Sequence, residues 1–234
     1  SGRLRPGWDR GPQRAVAATA PRLSGTLNHS EADAVLCLDA RLPIPDPAVL
    51  DRLLDGPADA WHAGLRLGLA EHPRMMDHVD PIWMLNASTA PDIESTSWRV
   101  SLRALLVRTA VLGQLGGPAH CFDTLSGSGL DVGLRWTNAG ALVRHAPDLA
   151  PAATLTDEEP TELDGIRLIN RHYGQRWALW GLQRSVITRA IGPRAAAPMV
   201  RPAVRTPPPA TPHYETPVRP VGRTDRTVTV IVPT

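Results

Sequence analysis

The run Val35-Leu36-Cys37-Leu38-Asp39 constrains the fold more than any other part of the chain. Four apolar residues in a row, two of them β-branched or compact, end on an acid, and the Pro-punctuated stretch Leu42-Pro43-Ile44-Pro45-Asp46 follows. A strand apolar on both faces must be covered on both faces, which is how a buried parallel strand of an open α/β sheet reads. Ligands of such sheets bind beyond the carboxyl ends of the strands, so Asp39 falls where chemistry is usually carried out. Arg41 lies two positions further on.

A chain of 234 residues is long enough for one α/β domain with a sizeable core. The hydrophobic fraction of 42% and the charged fraction of 21% are those of a folded globular chain. A net charge of +2 gives no electrostatic case for nucleic-acid binding. All the cations other than histidine are arginines. Two cysteines, Cys37 and Cys121, form no disulfide framework, and Cys37 reads as a small core residue. No apolar run reaches the ~20 residues of a membrane span, and no signal-peptide pattern opens the chain. The expectation is a cytoplasmic protein, with peripheral contact at the inner face of a membrane as the variant.

Asp46 and Pro47 are a helix N-cap and first helical residue, and Gly56-Pro57 stops that helix. Ala60 to Leu69 reads as a strand and loop. A long irregular segment then holds Met75, Met76, Trp83, Met84 and Trp98. Ser101 to Val107 reads as a strand, Thr109 to Leu115 as a helix ended by Gly116-Gly117, and Ser126 to Gly129 as a flexible loop. A helix is expected from Asp131 to Ala139, and a short strand begins at Leu142 and Val143. Residues 162–191 are helical in pattern, broken at Gly174. Prolines from Pro193 to Pro220 mark residues 193–226 as an extended, disordered linker. The terminal β-branched run from Thr227 is expected to open a second domain.

Asp39 has two local readings, a cation or phosphate-site carboxylate and a solvated strand-end acid. Arg41 is itself a phosphate-binding candidate. Asp131 also has two, a plain N-cap favoured by the helix dipole and a general base. Asp123 and His120 border the loop before it. Trp98 and Trp136 offer flat faces suited to a sugar ring, against the alternative of core packing. Asn28-His29-Ser30 and Asn86-Ala87-Ser88 match the glycosylation sequon, a triplet common by chance. Trp177 and Trp180, with Arg171, Arg176 and Arg184, suit either an interfacial position or the core.

Three segments together resemble the family-2 glycosyltransferases. Ala34-Val35-Leu36-Cys37-Leu38-Asp39-Ala40-Arg41 resembles the strand ending in Asp-x-Asp. Leu102 to Arg108, Leu115-Gly116-Gly117 and Phe122-Asp123 resemble the acceptor-side strand, helix and Gly-Gly-Phe-Asp turn. Leu130-Asp131-Val132-Gly133-Leu134-Arg135 resembles the segment that begins with Glu-Asp. The resemblance spans roughly residues 10–150 and implies a nucleotide-diphospho-sugar transferase fold with a central, mostly parallel sheet, incomplete at residues 1–155. A helical extension (156–192), the linker (193–226) and the first strand of a second such domain (227–234) would follow. It also implies an inverting transfer of sugar from a nucleotide-diphosphate donor to a hydroxyl of a glycan or other acceptor. In that scheme Asp131 is the catalytic base, Asp39 and Arg41 contact the donor, and Asp123, Trp98 and Trp136 contact the acceptor. A divalent cation, Mg²⁺ or Mn²⁺, would bind Asp39. Two departures stand out: Arg41 replaces the second acid of Asp-x-Asp, and Leu130 replaces the first acid of Glu-Asp. They keep open a second expectation, a catalytically inactive module that binds glycan or scaffolds a catalytic neighbour in the same parent chain.

Overall fold

The computed structural model describes residues 32–63, 79, 92–150, 160–209, 213–215 and 228–231. The expected short helix at Ala15 to Ala18, the residues Met75, Met76, Trp83 and Met84, both sequons and the acidic loop at Asp157 to Glu159 lie outside them.

Strands β1 (Ala34–Leu38), β2 (Ala60–His62), β3 (Ser95–Thr96), β4 (Ala104–Arg108), β5 (Val143–His145) and β6 (Val228–Ile231) form one six-stranded sheet in the order β3-β5-β2-β4-β1-β6. The sheet is mixed. β1 runs parallel to β6 and β2 to β5, whereas β4 is antiparallel to both its neighbours and β3 is antiparallel to β5. This corrects the expectation of a mostly parallel sheet. An apolar run reports burial on two faces and carries no information about the direction of its neighbours.

Alternate residues of β1 enter opposite layers. Ala34, Leu36 and Leu38 pack with Leu50, Leu53 and Leu54 of helix α1 (Pro47–Asp55). Val35 and Cys37 pack with Val111 and Leu112 of α2 (Thr109–Leu115) and Val132 and Trp136 of α3 (Leu125–Asn138). Burial pushes the Cys37 thiol up to about 12, in keeping with an inert core side chain. A third apolar cluster joins Leu130 to Ile166 and Ile169 of α4 (Glu162–Tyr173), to Ala178 and Leu182 of α5 (Gln175–Ile187), and to Ala203. Gly174 breaks α4 from α5 at φ 91, a conformation glycine adopts without strain.

Two other expectations are corrected here. The Ser-Gly run is helical: α3 starts at Leu125, with Thr124 as its N-cap accepting from the Gly127 amide. Asp131 is therefore in the interior of the helix and is not its cap. The first part of the Pro-rich segment also folds, into α6 (Pro193–Ala196), a 3-10 turn (Ala197–Met199) and α7 (Val200–Arg205). Pro193 is at the first position of α6 and Pro202 is in the first turn of α7, where a missing amide hydrogen breaks no helical bond. Further on, the Tyr214 ring is buried in the α2–α3 layer, and its hydroxyl donates to Asp59 Oδ1 at 3.0 Å. The terminal strand β6 lies along the outer edge of β1 and satisfies backbone groups of a strand whose side chains are fully buried.

His62 and His145 are register partners on β2 and β5, with ring centroids 5.5 Å apart. Burial, reinforced by the neighbouring ring, pulls His62 down to about 3 from 6.5. The fold thus keeps it neutral, while the unfolded chain takes up a proton below pH 6.5. Its contribution to stability is complete above that pH and is lost progressively as the pH falls towards 3. The limiting slope is ~1.4 kcal/mol per pH unit. Urea unfolding between about pH 4.5 and about pH 5.5, where the unfolded imidazole is charged and the folded one neutral, should approach this slope in the wild type and give a flatter profile in His62→Leu.

Candidate functional site

Asp39 is delivered to the carboxyl end of β1, where its amide donates to the Arg103 carbonyl at 2.7 Å. The chain turns immediately, so Arg41 folds back onto it. Arg41 donates from its amide (3.0 Å) and Nε (2.9 Å) to Oδ1 and from Nη2 (2.8 Å) to Oδ2. Arg103 Nη1 donates to Oδ2 at 3.2 Å. The two-pronged bond from Arg41 outweighs the opposing effect of partial burial, and the carboxyl is held at about 2. This arrangement does not fit a divalent cation. Both carboxylate oxygens already accept from guanidinium groups, and a metal would meet two fixed positive charges. Among the described residues no group of three or more His, Cys, Asp or Glu side chains is placed to hold a metal.

Asp131 is fully buried at the junction of α3 and α4. Its Oδ1 accepts from Arg171 Nε at 2.9 Å and lies 3.0 Å from His172 Nε2, and its Oδ2 is 3.6 Å from Arg135 Nε. Burial pushes the carboxyl up, but the bond to His172 and the charges of Arg171 and Arg135 together outweigh it and the net shift is downward. The arginines continue the network outwards. Arg135 donates to the carbonyls of Leu115 and Gly117 at the end of α2, which the helix leaves without amide partners. Arg171 donates to the Pro207 carbonyl at 2.9 Å. One carboxylate therefore ties together α2, α3, α4 and the chain beyond α7.

A general base needs an open path to the proton it removes. Asp131 has none in this arrangement, being enclosed by three cationic or hydrogen-bonding side chains. Trp136 is likewise closed to a sugar. It is fully buried between sheet and helix, and its Nε1 donates to the Gly116 carbonyl at 3.0 Å. Core packing, the alternative weighed for this residue, is what the structure has. Trp98 keeps a half-buried ring with the Arg99 guanidinium 5.6 Å from its centroid. Asp123 is half exposed and pairs with Arg167 at 2.8 Å.

Trp98, Phe122 and Leu130 meet in one apolar cluster, so Trp98, Asp123 and Asp131 are brought to the same helical end of the domain. Asp39 and Asp131 share no partner. Each is neutralised by its own set of arginines.

Four partners lie outside the site residues expected from sequence, among them Arg171, expected at an interface or in the core and here paired with Asp131. Arg135 had a local signal, its spacing of four from Asp131 on a helix face. Arg103 and His172 had none, since only the folded sheet and the α3–α4 contact bring them in. A further residue, Asp164, had a strong one. Thr161-x-x-Asp164 is a capping box, and both of its reciprocal bonds are present. Asp164 also accepts from the Asp123 amide at 2.8 Å and the Thr124 hydroxyl at 2.7 Å, so one carboxylate anchors the starts of both α3 and α4.

Compared with protein-family models the chain matches none, and no curated protein matches its sequence.

Proposed function

We propose that this chain forms a glycosyltransferase-like module that does not itself transfer sugar and that holds a glycan or a catalytic neighbour in place. The observation that carries this reading is the guanidinium clamp on Asp39. The side chain that resembles the donor-site acid is fully engaged by Arg41 and Arg103. The burial of Asp131 supports it, because the carboxylate in the position of the base serves as the hub of an internal ion network. Trp98 and the exposed Asp123 remain as surface groups suited to a glycan.

One observation favours a second reading, metal-independent sugar transfer from a nucleotide-diphosphate donor. The Arg41 side chain is 70% exposed. It is free on the solvent side to leave Asp39 and pair two-pronged with a diphosphate. Titration calorimetry with UDP-glucose and GDP-mannose, without metal and with Mn²⁺, separates the two. The module reading expects no saturable heat under any of these conditions. A saturable heat abolished by Arg41→Ala, or a Mn²⁺-dependent one abolished by Asp39→Ala, would replace it with the transferase reading.

A further inference from the structure

Helix α5 buries Ala178, Gly181, Leu182 and Ser185 against α4 and turns its other side outwards. That outer side carries Trp177 (48% exposed), Trp180 (42%) and Ile187 (60%), spaced so that they follow one another along a single helical stripe. The two indoles meet edge to face, 5.8 Å apart, at the surface. The sequence left these tryptophans open between core and interface, and the structure puts them outside the core. Beside the stripe an apolar groove of about 410 Å³ runs between α5 and the helices that follow, with Leu179, Val186, Ile187, Pro193, Ala197 and Val200 along it.

The charged side chains that α5, α6 and α7 themselves contribute have one sign. No Asp or Glu occurs between Asp164 and Glu215. Arg176, Arg184, Arg189, Arg194, Arg201 and Arg205 are all exposed. None of them has a salt-bridge partner among the described residues. They are spread over three successive helices and the turns between them, and do not converge on one point. A partner protein with an acidic helix would need its charges concentrated along the groove. A negatively charged plane needs what is present here, a broad scatter of cations around protruding aromatic and aliphatic side chains. Indoles and long cationic side chains both prefer the boundary between headgroups and acyl chains.

We propose that the outer face of α5, α6 and α7 docks on the surface of an anionic lipid bilayer, with Trp177, Trp180 and Ile187 entering the headgroup boundary and the arginines contacting lipid phosphates. Docking is peripheral, and no helix among the described residues is long and apolar enough to cross a membrane.

The full chain is sedimented with phosphatidylcholine vesicles and with vesicles containing about 30% phosphatidylglycerol, at about 0.1 M and about 0.5 M NaCl. Binding to the anionic vesicles alone is expected, weakened roughly tenfold or more by the higher salt. The double variant Trp177→Ser/Trp180→Ser should lose roughly tenfold or more in affinity while keeping the wild-type circular dichroism and melting temperature, since both side chains are exposed. Arg184→Glu/Arg194→Glu should lose binding to a similar extent. Failure to bind anionic vesicles, or binding that both variants leave intact, overturns the proposal. So does self-association through this face, read by ultracentrifugation as a dimer abolished by the tryptophan variant. None of these readouts depends on nucleotide-sugar binding.

Discussion

Asp131→Asn is expected to cost about 3–5 kcal/mol of folding stability. The variant keeps the shape of the side chain and removes its charge. Arg135 and Arg171, each less than a tenth exposed, would then sit buried around a neutral amide. The cost arises from those two uncompensated cations, more than from the lost hydrogen bonds. Urea unfolding measures it. A second change checks the cause: adding Arg171→Leu to Asp131→Asn should recover part of the loss, because it removes one of the stranded charges. The sign of the pH dependence follows from the same network. The folded carboxyl lies below its ordinary value, so its stabilisation is complete above about 3.8 and is lost as the pH falls through its lowered folded value. Asp131→Asn should flatten that acid limb. A variant as stable as the wild type would show that the carboxylate is no hub, and would reopen its reading as a catalytic group.

Gly133→Ala should destabilise by at least about 3 kcal/mol, whereas Gly113→Ala should be neutral or stabilise by up to ~1 kcal/mol. A Cβ at residue 133 would lie 1.8 Å from the Trp98 carbonyl oxygen, and one at residue 129 would lie 2.1 Å from the Val100 carbonyl oxygen. Both obstacles are backbone atoms, which no rotamer change can clear. The two glycines are one turn apart, so α3 lies with its bare backbone against the strand-like segment that leads into β4. A Cβ at residue 113, on the exposed side of α2, would meet nothing within 4 Å. Parallel urea melts of the two variants test the contact. Equal stabilities would mean that α3 does not approach residues 98–100 so closely.

These glycines also explain where reading the sequence stopped short. Helix α1 was legible because Asp46 caps it through a side-chain bond, Pro47 starts it, and Leu50, Leu53 and Leu54 share a face. The break at Gly174 was legible for the same reason, a backbone angle that one residue type adopts cheaply. Ser126 to Gly129 reads as loop in the sequence because glycine lowers helix propensity. Its purpose is tertiary, the space it leaves for Asp164 and the Val100 carbonyl, and a single sequence does not contain the neighbour that requires the space. The prolines after residue 192 are breakers by count, but position within a turn decides their effect. Asp39 at the end of a buried strand was legible. That Arg41 and Arg103 would neutralise it depended on the turn after β1 and the register of β1 with β4.

The place of β6 has a consequence for the order in which the molecule is built. Its partner β1 is made nearly two hundred residues before it, so the β1–β6 pairing forms only once residue 231 has been made. A strand edge left without its partner is the kind of template on which chains stick to one another. Closing that edge joins the two strands of the sheet that lie furthest apart in sequence, a pairing with a high loop-closure cost.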